Sequence, residues 1–286
     1  IFQRIYFWYN IKLLIMKNYI VYLSFILATM VACDKIEQED FLIAEGGGGV
    51  VVDTSTFVKK VLIEDFTGHT CQNCPEASEE IHTLQQIGAY QGNVIAIAIH
   101  SGFFSDVNST FTTDFTTNEG TEIHDFFGIG SYPKGMVNRK GFTTTTHLLD
   151  YPLWGSAVAD LISEEPEIGM KMSVENSTII IDAKLLAGLN DELKLVVVLT
   201  ENKIIDKQLV EGIGVVEDYE HNHVLRKSLN GTWGQTVQLN TSSFETYSFD
   251  YTLDPSWNET NTNAVAYIYS EASKEVLQVE ELHLIE

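Results

Sequence analysis

Two apolar runs, FVKKVLIEDF (57–66) and NVIAIAIH (93–100), bracket a segment of helical period, PEASEEIHTLQQIGAY (75–90), and that order leaves the chain few folds to choose from. Both runs have strand length, and the second is rich in β-branched residues. The segment between them places Ala77, Ile81, Leu84 and Gly88 on one face with Glu79 and Glu80 near its start, where negative charge favours a helix. Strand, helix and strand at this spacing predict a parallel pair joined by a right-handed crossover. The junction of first strand and helix reads DFTGHTCQNCP (65–75), which holds two of the chain's three cysteines.

A CxxC at the head of a helix is suited to redox work. Unsatisfied amide groups and the helix dipole stabilise a thiolate there, and a second thiol one turn on can attack a mixed disulfide formed at the first. Pro75 suits a first helical turn. Cys71 is accordingly expected to be exposed, with Cys74 deeper. A structural clip is the alternative, although so short a loop constrains the unfolded chain little. A metal clamp would need Cys71, Cys74 and His69 with His100, and no second CxxC or HxxxH completes a zinc site. His221 and His223, in HNH, are expected to lock a loop with Tyr219 and Arg226 rather than hold a metal.

Downstream, residues 101–119 are polar with scattered phenylalanines and read as an insertion, pinned to its own domain by the phenylalanines at 103, 104, 111 and 115. A short helix is expected over 121–129, a strand after the proline of GSYPKGMVNRK (130–140), and a helix over 153–163 with Trp154, Val158 and Leu161 on one face. From about Glu167 the texture changes. Seven strand-like runs, IGMKMSVE, STIIIDAKL, ELKLVVVLTE, QTVQLN, FETYSFDYTL, NAVAYIYSE and EVLQVEELHL, are separated by Asn, Gly, Asp and Ser turns and predict an antiparallel sandwich.

The segment MKNYIVYLSFILATMVAC (16–33) reads as an export signal, with Lys17 behind Met16, an apolar run too short for a comfortable membrane span, and small residues before a cysteine. MVAC (30–33) resembles a bacterial lipobox, which implies that Cys33 becomes the first mature residue and carries a lipid anchor. Residues 1–32 are thus read as upstream residues and lipoprotein signal, and 33–55, acidic and running into four glycines, as a flexible tether. Cys71 and Cys74 then form a single close pair in an oxidising compartment, where disulfides persist. The whole chain has 17 basic and 40 acidic residues, a net charge of -23, and residues 1–32 hold three of the basic and none of the acidic ones. Such an acidic surface repels phosphate backbones and excludes nucleic acid as a partner.

Acid, CxxC and downstream proline, in that order, resemble the thioredoxin-like superfamily over residues 56–165. Asp65 falls six residues before Cys71, matching that family's buried acid, and FGIGSYPKGMVNR (127–139) is similar to the segment bearing its cis-proline. The resemblance implies Cys71 as nucleophile, Cys74 as resolving thiol, Asp65 as proton acceptor, Pro133 shaping the substrate site and Tyr132 offering backbone contacts to a bound chain. Thr70 stands where that family has tryptophan, and Gln72-Asn73 is unlike its common redox dipeptides. Lipobox, FTGHTCQNCPEA, AIAIHSG, YPKGMVNR, VVVLTENKI and YEHNHVLR together resemble the twenty-eight-kilodalton outer membrane lipoprotein family of Bacteroidota. That likeness implies an α/β thioredoxin-like domain (56–165) followed by an all-β immunoglobulin-like sandwich (166–286), held at the outer membrane by lipid on Cys33, and CDKIEQED after the anchor goes with display on the cell surface. The expected function is thiol-disulfide exchange with extracytoplasmic proteins or peptides; the alternative is a surface binding or adhesion lipoprotein whose CxxC disulfide is only structural. Neither requires an organic cofactor or a metal.

Overall fold

A computed structural model describes residues 57–284; the segments read as export signal (1–32) and tether (33–55), with Cys33, lie outside the described residues. The α/β part contains β1 (Val61–Thr67), α1 (Cys74–Gln86), β2 (Val94–His100), α2 (Asn118–Phe127), β3 (Lys134–Val137) and α3 (Trp154–Ile162). β1 and β2 pair in parallel from Val61↔Val94 to Thr67↔His100. β3 lies antiparallel on the other side of β1, with Asp65↔Gly135 and Phe66↔Lys134 in register. Every residue of β1 and β2 is buried, which is why both read as unbroken apolar runs: each strand is covered on two faces. One face packs on Ala77, Ile81 and Leu84 of α1 and on Trp154, Val158 and Leu161 of α3. Gly88, expected on that helix face, falls past the helix end and is exposed, because the chain turns extended at Ile87.

The other face meets the β-rich part. Its strands are β4 (Ile168–Glu175), β5 (Thr178–Leu185), β6 (Leu193–Glu201), β7 (Ile204–Val210), β8 (Gly214–His221), β9 (Val224–Ser228), β10 (Gln235–Val237), β11 (Glu245–Asp250), β12 (Thr262–Ser270) and β13 (Val276–His283). Each of the seven expected runs holds a strand; β7, β8 and β9 were not foreseen. β4, β5 and β11 make a three-stranded sheet, and β7 with β8 makes a separate hairpin. The remaining strands join those of the α/β part in one sheet ordered β13-β12-β6-β9-β2-β1-β3, with β10 also on β6. The join is narrow: β9 meets β2 at Ala98↔Val224, where the Ala98 amide donates to the His223 carbonyl at 2.8 Å.

The β6 side chains show how the layers stack. Leu195, Val197 and Leu199 face Ile179, Ile181 and Ala183 of the three-stranded sheet. Val196 and Val198 point the other way, into a core with Leu62, Ile97 and Tyr267. Across this second core runs a buried ion pair. Arg139 donates from Nε and Nη2 to the Glu64 carboxylate at 2.7 and 2.6 Å, and from Nη2 to the Tyr267 hydroxyl at 2.9 Å. Burial disfavours the guanidinium charge, and the Glu64 carboxylate outweighs it, so Arg139 stays protonated. The architecture is a mixed α/β region followed by a β-rich one.

Candidate functional site

The CxxC sits where β1 hands over to α1. Gly68 starts the loop because there is no room for a side chain: a Cβ would lie 2.4 Å from the Phe104 carbonyl oxygen. That carbonyl accepts from the Thr70 amide at 3.1 Å and the Thr70 hydroxyl at 2.9 Å, so Thr70 ties the loop to the insertion. Cys71 and Cys74 form a disulfide, their Cα atoms 5.4 Å apart, and the Cys71 amide donates to the Gly68 carbonyl. Cys74 is the first residue of α1, with Pro75 in the first turn. The expected exposure of Cys71 is not observed: it is 3 % exposed, and Cys74 1 %. The physical reason is a strand from the β-rich part, β7, laid over the loop.

Asp65 sits in the middle of β1, between Ala98 of β2 and Gly135 of β3. Its carboxyl is fully buried and neither oxygen has a hydrogen-bond partner. Burial therefore pushes its pKa up to about 8. The carboxyl borders a cavity of about 690 Å³ shared with Pro75, Ser78, His82, Tyr219 and His223. A smaller void of about 10 Å³, bordered by Cys74, His100 and His221, shares Pro75, Ser78 and Tyr219 with that cavity as lining residues. Its size is about that of one water molecule.

Pro133 follows Tyr132 through a cis peptide bond and immediately precedes β3, whose Lys134 pairs with Phe66. It thus stands at the same end of the sheet as the CxxC. The Tyr132 hydroxyl donates to the Ser101 carbonyl at 2.8 Å and lies 2.8 Å from His124 Nδ1, while its ring packs edge-on against Phe104. The insertion's Phe111 and Phe115 are buried as expected, and Phe103 is exposed instead. Phe111 stacks on His69, and Phe115 packs on both His100 and His221. Those two imidazoles have ring centres 5.7 Å apart, and burial lowers both pKa values, that of His221 to about 4. His223 is separate. It bends the chain between β8 and β9 at φ +58, its amide held by Asn202 at 2.7 Å, while Arg226 pairs with Glu201. Among the described residues no group of three or more His, Cys, Asp or Glu side chains is arranged to hold a metal ion.

Sequence reasoning missed Gln208 and Leu209, which close over the cysteines. Their signal was present as IIDKQLV and VVEDYEH around EGIG, two strand-length runs about a glycine turn.

Among curated proteins no sequence matches the chain. HBP35 of Porphyromonas gingivalis has a similar fold, with a TM-score of 0.63 at 16% identity over 80% of this chain and 76% of that one. Protein AGR_C_4864 from Agrobacterium tumefaciens is similar at a TM-score of 0.52 and 16% identity, over 80% of this chain and 96% of its own. A domain of the outer membrane lipoprotein Omp28 from Porphyromonas gingivalis matches at 22% identity over 42% of this chain and 90% of that one, with a TM-score of 0.29. The family model for outer membrane protein Omp28 matches residues 121–285, more than half of the chain, beginning after the CxxC. The chain therefore belongs to the Omp28 family and is a protein of the outer membrane.

Proposed function

We propose that the protein exchanges thiols and disulfides with extracytoplasmic proteins or peptides, through Cys71 and Cys74 in a thioredoxin-like region that is followed by an immunoglobulin-like sandwich and anchored by lipid on Cys33. The observation that carries this reading is the buried, unpartnered Asp65 carboxyl with its pKa raised to about 8. An ordinary thiol titrates near 8.5, so a proton passes between such a carboxyl and a cysteine at almost no energetic cost.

In the oxidising direction a partner thiolate attacks Cys71 Sγ. The Cys71–Cys74 bond breaks, and Cys74 leaves as a thiolate that takes a proton from the Asp65 carboxyl. A second partner thiolate then attacks the partner's sulfur in the mixed disulfide and expels Cys71 as a thiolate. Two electrons have moved from partner to protein, which holds a dithiol while the partner holds a disulfide. Run in reverse, Asp65 accepts the Cys74 proton and Cys71 is the attacking nucleophile. Pro133 shapes the substrate site, and Tyr132 borders it.

The test is reduction of insulin by the protein with dithiothreitol as electron source. The wild type is expected to accelerate precipitation of the insulin B chain, and Cys71→Ser to abolish the effect. No acceleration by the wild type would remove the reading. One observation favours a second reading, a surface binding protein with a structural clip: both sulfurs are buried.

A further inference from the structure

Cys71 and Cys74 are buried although Gln72 and Asn73, between them, are exposed. Their cover comes from far along the chain. β7 runs beside the CxxC loop, the Leu209 amide donating to the His69 carbonyl at 2.8 Å and the Glu211 amide to the Gln72 carbonyl at 3.0 Å. Amides two residues apart point to the same side of a strand, so β7 uses its free edge here while its other edge pairs with β8. The buried Gln208 side chain adds donations from Nε2 to the Gly68 carbonyl at 3.3 Å and the Cys71 carbonyl at 3.0 Å. Four carbonyls of the loop, those of residues 68, 69, 71 and 72, are thereby held by β7 and the residue that follows it.

The rest of the hairpin is lightly attached. β7 and β8 form a sheet of their own, and two-stranded hairpins are marginal in water. Ile205, Ile213 and Val215 are exposed on it, and Gly212 and Gly214 turn its tip at φ +70 and +97. Its root is anchored by the buried His221 ring against Phe115 and His100, and tied by the Thr113 hydroxyl donating to Asp206 and by the Lys203 amide donating to Asn222 Oδ1 at 2.9 Å, so that what lifts is the part beyond that root. A segment held mainly by hydrogen bonds, with little apolar burial, opens at lower cost than the core beneath it.

We infer that the hairpin Ile204–His221 is a lid on the Cys71–Cys74 pair, lying where a partner's extended backbone must lie. Exchange requires the hairpin to lift and the incoming strand to take over the His69 and Gln72 carbonyls. The partner is therefore a polypeptide able to present its cysteine in an extended segment, a β-strand addition to the loop. The purpose assigned to the lid rests on the exchange function, while the closure stands on its own geometry.

The test uses the full chain with Cys33→Ser, so that only the pair reports. Reduction by a phosphine and alkylation of the resulting thiols by iodoacetamide are timed by mass spectrometry in this background, in Gln208→Ala, in Leu209→Pro, which removes the amide that reaches His69, and in Thr113→Val, which loosens the root without touching the loop. Circular dichroism checks folding; if Leu209→Pro fails to fold, the other two variants carry the test. Gln208→Ala and Leu209→Pro are expected to react about tenfold faster or more, and Thr113→Val by a smaller factor in the same direction. Unchanged rates in all folded variants, or a background chain as reactive as the same chain in urea, overturns the lid. Insulin reduction separates the two ideas. Faster alkylation with no insulin reduction in any chain keeps the lid and ends the exchange function; insulin reduction that no lid variant accelerates keeps exchange and ends the lid. Strand addition is read in reduced Cys74→Ser from exchange with a peptide whose cysteine is held as a 2-thiopyridyl disulfide, and with its backbone N-methylated analogue: the Cys71 thiolate attacks the peptide sulfur, the peptide's S–S bond breaks and 2-thiopyridone leaves. Slower reaction of the methylated peptide is expected, and equal rates refute that mode of entry.

Discussion

Asp65→Asn keeps the shape of a fully buried side chain and removes its titration, so it isolates what the carboxyl does to stability. Asp65 binds its proton with a pKa of about 8 in the folded protein, against 3.8 for the unperturbed group. Between those values the folded state holds a proton that the unfolded chain has lost, so stability falls as pH rises through the window and levels off above it. At about 1.4 kcal/mol for each tenfold difference in proton affinity, the full loss is about 6 kcal/mol, of which about 4 is already present at pH 7. His100 and His221 work in the opposite sense. Their lowered values mean that stability is lost as pH falls below the ordinary histidine range, through about 4 for His221. The assay is therefore a difference: urea unfolding of wild type and Asp65→Asn at intervals from pH 4 to 9, in which the histidine contributions cancel. The wild type should lose stability relative to the variant by several kcal/mol across that range. In the reducing direction, where Cys71 attacks a partner disulfide and Asp65 acts only on Cys74, the variant should form mixed disulfides at the wild-type rate and resolve them about a hundredfold more slowly. A difference curve flat with pH would refute the reasoning, because it would mean that Asp65 is ionised in the fold or solvated by groups that relieve its burial.

Arg139→Met leaves the Glu64 carboxylate buried without its partner and should cost about 3–5 kcal/mol in urea unfolding, with Glu64→Gln in the same chain restoring much of it; a loss below about 1 kcal/mol would show the pair to be solvated. Metabolic labelling with a fatty acid should mark the wild type and not Cys33→Ser, and labelling of that variant would disprove the anchor. Residues 56–165 and 166–286, separately expressed, test the sequence reading of two folding units against the shared sheet: the packing of Leu62 and Ile97 against Val196 and Val198 favours one cooperative transition for the intact chain, and two well-separated calorimetric transitions would favour independent units.

Local signals made the elements legible. The unbroken runs of β1, β2 and β6 and the apolar faces of α1 and α3 were readable because each records how many of its sides are covered. The order of acid, CxxC and proline was readable too, and Asp65 and Pro133 do lie at or beside strands flanking the CxxC loop. What escaped depended on distant partners. Nothing near Val224 announces that it meets Ala98, and nothing in RK at 139–140 distinguishes the buried Arg139 from the exposed Lys140. The polar residues of β7 hid a strand whose worth comes from its free edge, and burial of the cysteines could not be read because Gln208 reaches Cys71 across 137 positions.

That separation also sets an order of events during maturation. A chain that emerges from its N-terminus completes the residues of the α/β region well before β7 is made, so Cys71 and Cys74 pass through an interval in which no hairpin can cover them. A thiol oxidant would meet both sulfurs uncovered in that interval and buried once the Leu209 and Glu211 amides dock. On the proposed exchange function, the disulfide is therefore easier to form before the hairpin docks than to reach afterwards, and a partner must gain entry to the finished fold.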